Sequence, residues 1–146
     1  MTVIKKILKP IILFSIGGTV YVFMELSFRG RSHIAMFFVG GLAFLMIGFI
    51  NEIKPLKNLP LFNQSILGSL IVTFLELIFG YLLNIVLKLD VWDYSNLPFN
   101  FHGQICLPFS ILWIFVSLFA IVLDDYIRYK LFDEEKPTYT FFSKHF

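Results

Sequence analysis

A bundle of four membrane-spanning α-helices is the fold class this sequence predicts. Three observations predict it: a composition too apolar for water, four apolar runs of bilayer length, and very few charges inside those runs. Hydrophobic residues make up 58% of the 146-residue chain and charged residues 15%, whereas a soluble domain carries about a quarter charged residues to cover its surface. The mean hydropathy of +0.80 points the same way.

A bilayer core of about 30 Å needs about 20 apolar residues at a rise of 1.5 Å each. Runs of that length occupy residues 10–28, 32–53, 63–88 and 103–127. Glu25 is the only charge in the first, residues 32–51 carry none, and Glu76 is the only charge in residues 63–87. Backbone groups in hydrocarbon must be satisfied within the segment, so these runs are helices, and the alternation of a membrane barrel is absent. Residues 1–132 then form a single transmembrane domain, with an outer loop over 89–104 and a tail over 133–146. Lys5, Lys6 and Lys9 before an apolar run resemble a signal peptide, but no small-residue cleavage site follows, so the segment reads as a retained helix.

Within the spans, Gly17, Gly18, Gly40, Gly41, Gly48, Gly68 and Gly80 allow close approach of neighbouring helices. Pro108 reads as an ordinary early-helix proline in preference to a device that widens the helix beside a site. Four spans put both termini on one side. That side carries Lys5, Lys6, Lys9, Lys54, Lys57, Arg128, Lys130, Lys136 and Lys144, against Arg29, Arg31 and Lys88 on the other, which places the termini in the cytoplasm. The sequon at Asn63 falls on the cytoplasmic side and is a coincidence. The tail, acidic at 133–135 and then aromatic with Lys, reads either as lying at headgroup level or as disordered.

Composition excludes several classes of function. A net charge of +2 gives no concentrated basic face for nucleic acid. One cysteine, Cys106, makes neither an intrachain disulfide nor a thiolate metal site, and the isolated His and carboxylates predict no metal centre and no cofactor.

Ionisable groups in a bilayer cost a few kcal/mol and turn inward, which makes Glu76 the most informative residue. Gly80 and Asn84 follow at intervals of four, forming a polar stripe on the third span. The stripe suits either an interhelical hydrogen-bond clamp or the binding of a proton, cation or polar substrate. Glu25 stands one turn before Arg29, the spacing of an intrahelical ion pair. The outer loop combines Trp92, Asp93, Tyr94, Asn96, Asn100, His102 and Gln104. Interfacial anchoring accounts for its aromatics, and the polar groups suit a partly re-entrant cap over the bundle. Asp93 and His102 as orienter and base, with Ser95 nearby, make a thin case for catalysis. Asn51 and Glu52, and Asp124-Asp125 with Tyr126, Arg128 and Tyr129, read as solvated helix ends with local ion pairs.

Trp92-Asp93-Tyr94-Ser95, then Pro98-Phe99-Asn100, then Gly103-Gln104-Ile105-Cys106-Leu107 leading to Trp113, with Glu76 to Gly80 and Asn84 upstream, form an ordered set. In order and spacing this set resembles the putative ABC-transporter type IV family, uncharacterised bacterial membrane proteins labelled as ABC transporter permeases. The resemblance implies a multi-pass protein of the bacterial inner (cytoplasmic) membrane. No P-loop occurs, so ATP-driven transport implies a separate ATPase subunit. Four helices are few for alternating access, which favours a homodimer or hetero-oligomer.

The expected function is therefore a permease-like or channel-like subunit whose polar site draws on Glu76, Asn84, Trp92, Asp93, Tyr94, Asn100, His102 and Gln104. The alternative is a non-transporting interaction protein that recruits a partner.

Overall fold

The computed structural model describes residues 2–142. The end of the tail, including Lys144 of the charge count, lies outside the described residues. Four helices are long and apolar enough to cross a membrane. They are α1 (Val3–Arg29), α2 (Ile34–Glu52), α4 (Leu61–Gly80) with its π-helical continuation Tyr81–Val86, and α5 (Leu107–Leu131). A one-turn helix, α3 (Lys54–Lys57), joins α2 to α4, and a two-residue hairpin of β1 (Asn100–Phe101) and β2 (Ile105–Cys106) precedes α5. Lys5 lies 2.9 Å from Asp133 and Lys9 lies 2.6 Å from Glu134, so the two chain ends share one face of the bundle.

The helix boundaries shift from the hydropathy reading, and two of the helix starts have a clear physical reason. Helix α1 begins at Val3, with the Thr2 hydroxyl accepting from the Lys5 amide. Lysines there do not oppose helix formation; hydropathy marks the hydrocarbon and the cap marks the helix. The last helix begins at Leu107, because residues 100–106 are used by the hairpin, and Pro108 sits in its first turn, where a missing N–H costs nothing.

The helices pair as two hairpins, α1 with α2 and α4 with α5, joined mainly through α2. Glycine makes the first pairing possible. A methyl group on Gly40 would stand 2.6 Å from Tyr21 Cβ, and one on Gly41 would stand 2.7 Å from the Phe14 carbonyl oxygen. The outward faces are large and apolar: Phe23, Phe38, Phe74, Phe115 and Phe119 are all more than half exposed. In water such a surface would associate; in lipid it is the solvated face.

Candidate functional site

On the side of the bundle away from the termini, the outer loop is bonded to the polar stripe of α4. Glu76 is 4% exposed, and both carboxylate oxygens accept hydrogen bonds. Tyr94 Oη donates to Oε2 at 2.6 Å and Trp113 Nε1 donates to Oε1 at 2.8 Å. One acidic group thus ties the loop to α4 and to α5. Tyr94 stacks on Phe109 at a centroid distance of 4.7 Å. Burial, followed by the nearby Glu76 charge, pushes the Tyr94 phenol well above its usual range, so it remains a donor.

Asn84, on the π-helical turn, makes the second attachment. Its Oδ1 accepts from the amides of Val91 (2.7 Å) and Trp92 (3.4 Å), and its Nδ2 donates to Gln104 Oε1 at 2.9 Å. Trp92 Nε1 donates to the Gln104 carbonyl at 3.0 Å, and Gln104 Nε2 donates to the His102 carbonyl. Gly80 supplies the space: a methyl group there would lie 2.7 Å from Gln104 Oε1. A third attachment comes from α1, where Arg29 pairs with Glu25 at 2.7 Å and donates to the Val91 carbonyl at 2.7 Å. The i,i+4 ion pair is the one expected from the spacing; its second bond, to the loop, is not visible in sequence.

The loop residues divide into two groups. Trp92, Tyr94 and Gln104 turn toward the bundle and join Glu76 and Asn84. Asp93, Asn100 and His102 are exposed and shape the loop itself. Asp93 Oδ1 accepts from the Ser95 amide at 2.9 Å, and hydrogen bonding to Ser95 holds its carboxyl below the ordinary aspartate value. Asn100 donates to the carbonyls of Ser95 and Leu97 and accepts from the Gly103 amide. His102 packs at a tilt against Phe101, with ring centroids 4.4 Å apart, and among the described residues no hydrogen bond joins it to Asp93. Lys88, Asp90, Phe99 and His102 all have φ near +50°, a region that costs non-glycine residues about 1 kcal/mol each. The attachments through Asn84 and Asn100 hold this strained path in place.

The opposite end departs from expectation. Asp124-Asp125 is not a solvated helix end: Asp124 is 1% exposed and Asp125 8%. The helix continues past them, and residues 133–142 fold back over them. Arg128 Nε donates to Asp124 Oδ2 at 2.8 Å, and Arg128 also donates to Glu52 Oε1 and the Gly48 carbonyl. Asp125 accepts from Asn51 Nδ2 at 2.6 Å and Tyr139 Oη at 2.8 Å. Burial and the Asp125 bond push the Tyr139 phenol up. The described part of the tail is docked: its Thr140 and Phe141 carbonyls accept from the Leu61 and Phe62 amides, at the start of α4, where Pro60 offers no side-chain cap. Sequence reasoning missed Tyr139 and the buried role of Asp124. The i,i+4 spacing of Asp124 and Arg128 was the only signal available.

Asp124 Oδ1 and Ser117 Oγ are buried atoms with no hydrogen-bond partner among the described residues. An unmet buried acceptor costs about 1–3 kcal/mol. Asp124 borders a partly open, polar cavity of about 610 Å³ between α2, α4, α5 and the tail. Ser117 borders a smaller apolar cavity of about 130 Å³ between α1, α2 and α5. Glu76 lines neither.

Four spanning helices with an inward-bonded carboxylate and a docked loop define a polytopic α-helical membrane protein. The chain belongs to the family described as putative ABC-transporter type IV, which matches residues 9–143. No curated protein and no solved structure matches the chain.

Proposed function

We propose that this chain is a permease-like or channel-like subunit of a transport system in the cytoplasmic membrane, with both termini on the cytoplasmic side. The outer loop acts as its cap. The observation that carries this reading is the Glu76 carboxylate, inside a spanning helix yet bonded to Tyr94 of the loop: displacing the loop changes the environment of an intramembrane acid. Glu76 and Asn84, with Trp92, Tyr94 and Gln104, form the polar site that the cap covers. Asp93, Asn100 and His102 form its outer surface. The family supports a role in transport, and the absence of a P-loop leaves ATP hydrolysis to a separate subunit. The few helices support assembly as a homodimer or hetero-oligomer.

One observation favours a second reading. Both oxygens of Glu76 are already occupied by protein donors, which suits a clamp in a non-transporting interaction protein that recruits a partner through its terminus side.

The two readings separate in proteoliposomes loaded with pH-sensitive and cation-sensitive dyes. The transport reading expects a flux from the reconstituted native chain, alone or with its ATPase partner, that Glu76→Gln abolishes. If Glu76→Gln alters only stability and assembly, and the native protein shows neither flux nor ligand binding, the transport reading fails and the clamp stands.

A further inference from the structure

We propose that the apolar cavity between α1, α2 and α5 is a lipid site, which receives the end of an acyl chain entering sideways from the bilayer. The site does not rest on the transport reading and needs only that these helices span a membrane.

Depth comes first. The cavity is walled by residues within 17–24 of α1, 40–47 of α2 and 113–123 of α5, with Val72 of α4 behind. These are the middle portions of Val3–Arg29, Ile34–Glu52 and Leu107–Leu131. At that depth a spanning helix is surrounded by hydrocarbon.

Shape gives the route. Helices α1 and α5 both pack on α2 but scarcely on each other, which leaves a cleft between them. Of the side chains around the cavity only Val20 on α1 and Phe119 on α5 are exposed, so the mouth lies between these two and faces lipid. Toward the terminus side the buried cluster of Leu13, Phe44, Ile127 and Phe132 closes the cleft. Toward the loop side the rings of Tyr21 and Trp113 narrow it, with centroids 6.1 Å apart. With both ends obstructed, a ligand enters from the side.

The lining gives the chemistry. Its walls are almost wholly apolar. Ser117 is packed against Gly68 of α4, where an added methyl group would stand 2.7 Å from its Oγ, and Trp113 Nε1 is bonded to Glu76. A bound water needs about two to four polar partners and finds too few here. At about 130 Å³ the cavity is close in size to an engineered apolar cavity of about 150 Å³ that stays dry and binds benzene. That is room for the terminal carbons of one chain, while its headgroup stays at the membrane surface. A side chain from a second copy is a poorer fit, because membrane helices approach closely through small residues. Phe115 and Phe119, one turn apart on α5 and both more than half exposed, hold another backbone away from the mouth. The chain end rests on Trp113, the residue that holds Glu76.

The test compares the native full-length chain with Ala43→Leu, which fills the cavity from its α2 wall. Both are reconstituted in phosphatidylcholine vesicles whose acyl chains are brominated toward the methyl end, and tryptophan emission is measured against unbrominated vesicles. Bromine quenches an indole that it approaches closely, and Trp113 is only 5% exposed, so strong quenching requires a chain inside the cleft. Native emission should be quenched several-fold more than that of Ala43→Leu; Trp92 is common to both. Equal quenching of the two, or none in the native chain because a second copy fills the cleft, overturns the proposal. In case Ala43→Leu does not fold, the native chain is irradiated in vesicles containing a phospholipid with a diazirine at the acyl end, and adducts are mapped by mass spectrometry. Adducts at Ala43 and Val116, inside the cleft, should exceed those at Phe74, which is 57% exposed. Labelling that simply follows exposure, with Phe74 ahead of both, overturns the proposal as well.

Discussion

Tyr94 Oη and Glu76 Oε2 lie 2.6 Å apart, and this bond joins a loop on the bundle's outer surface to an acid in a spanning helix. With Trp113 on the other oxygen, Glu76 is a junction of three segments that are distant in sequence.

Removing either donor leaves one Glu76 oxygen buried and unmet. Tyr94→Phe and Trp113→Phe should each destabilise the protein by about 1–3 kcal/mol. The double variant should lose measurably less or more than the sum, since both donors share one carboxyl group. Thermal unfolding in detergent, followed by circular dichroism, checks this. Additive losses would show that the two bonds act independently.

Asn84 should matter more to the loop than to the bundle. Cys106, the single cysteine, is 3% exposed beneath the loop and reports its closure. Burial pushes its thiol up, which further slows its reaction with alkylating dyes. Asn84→Ala removes the acceptor for the Val91 and Trp92 amides, and Gly80→Ala drives a methyl group into Gln104. Both variants should label at Cys106 several-fold faster than the native protein while keeping its helix content.

Arg128 neutralises Asp124, and the two residues are only 3% and 1% exposed. Removing one partner of a buried ion pair costs about 3–5 kcal/mol, so Arg128→Met should reduce the yield of monodisperse protein sharply. Asp124→Leu combined with Arg128→Met should recover much of it, because no unpaired charge remains. Size-exclusion profiles of the two variants make the comparison.

The tail should loosen in acid. Lys5, hydrogen-bonded to Asp133, holds that carboxyl below the ordinary value of 3.8. A lowered value in the folded state means that the pair stabilises docking above pH 3.8 and stops doing so as pH falls through the folded value. Hydrogen exchange over residues 133–142, corrected for intrinsic rates, should accelerate in that acid window. Lys5→Met should show the faster exchange already at neutral pH.

Much of the architecture was legible in the chain. Four apolar runs separated by charged turns, the Glu25–Arg29 spacing and the inward need of Glu76 are local consequences of hydropathy and helical period. The grouping of Glu76, Gly80 and Asn84 on one side of α4 followed from the interval of four residues. Which loop groups would meet that stripe did not follow, because a loop's direction is set by backbone angles rather than pattern. Phe99 and His102 take left-handed angles that nothing in their chemistry announces. Asp93, Asn100 and His102 therefore looked equivalent to Trp92, Tyr94 and Gln104, although they point outward.

The sequence by itself determined that this chain is a four-helix membrane protein, since the free energy of placing apolar runs in lipid depends on composition and length alone. Tertiary structure decided which polar groups are satisfied and which are not. Asp124 and Asp125 are polar residues near a helix end, and only the return of residues 133–142 across them, with Tyr139 on Asp125, turns that end into a buried floor. Desolvation arises from what packs against a group, and the packing partners here lie far apart in the chain, 80 residues in the case of Arg128 on the Gly48 carbonyl.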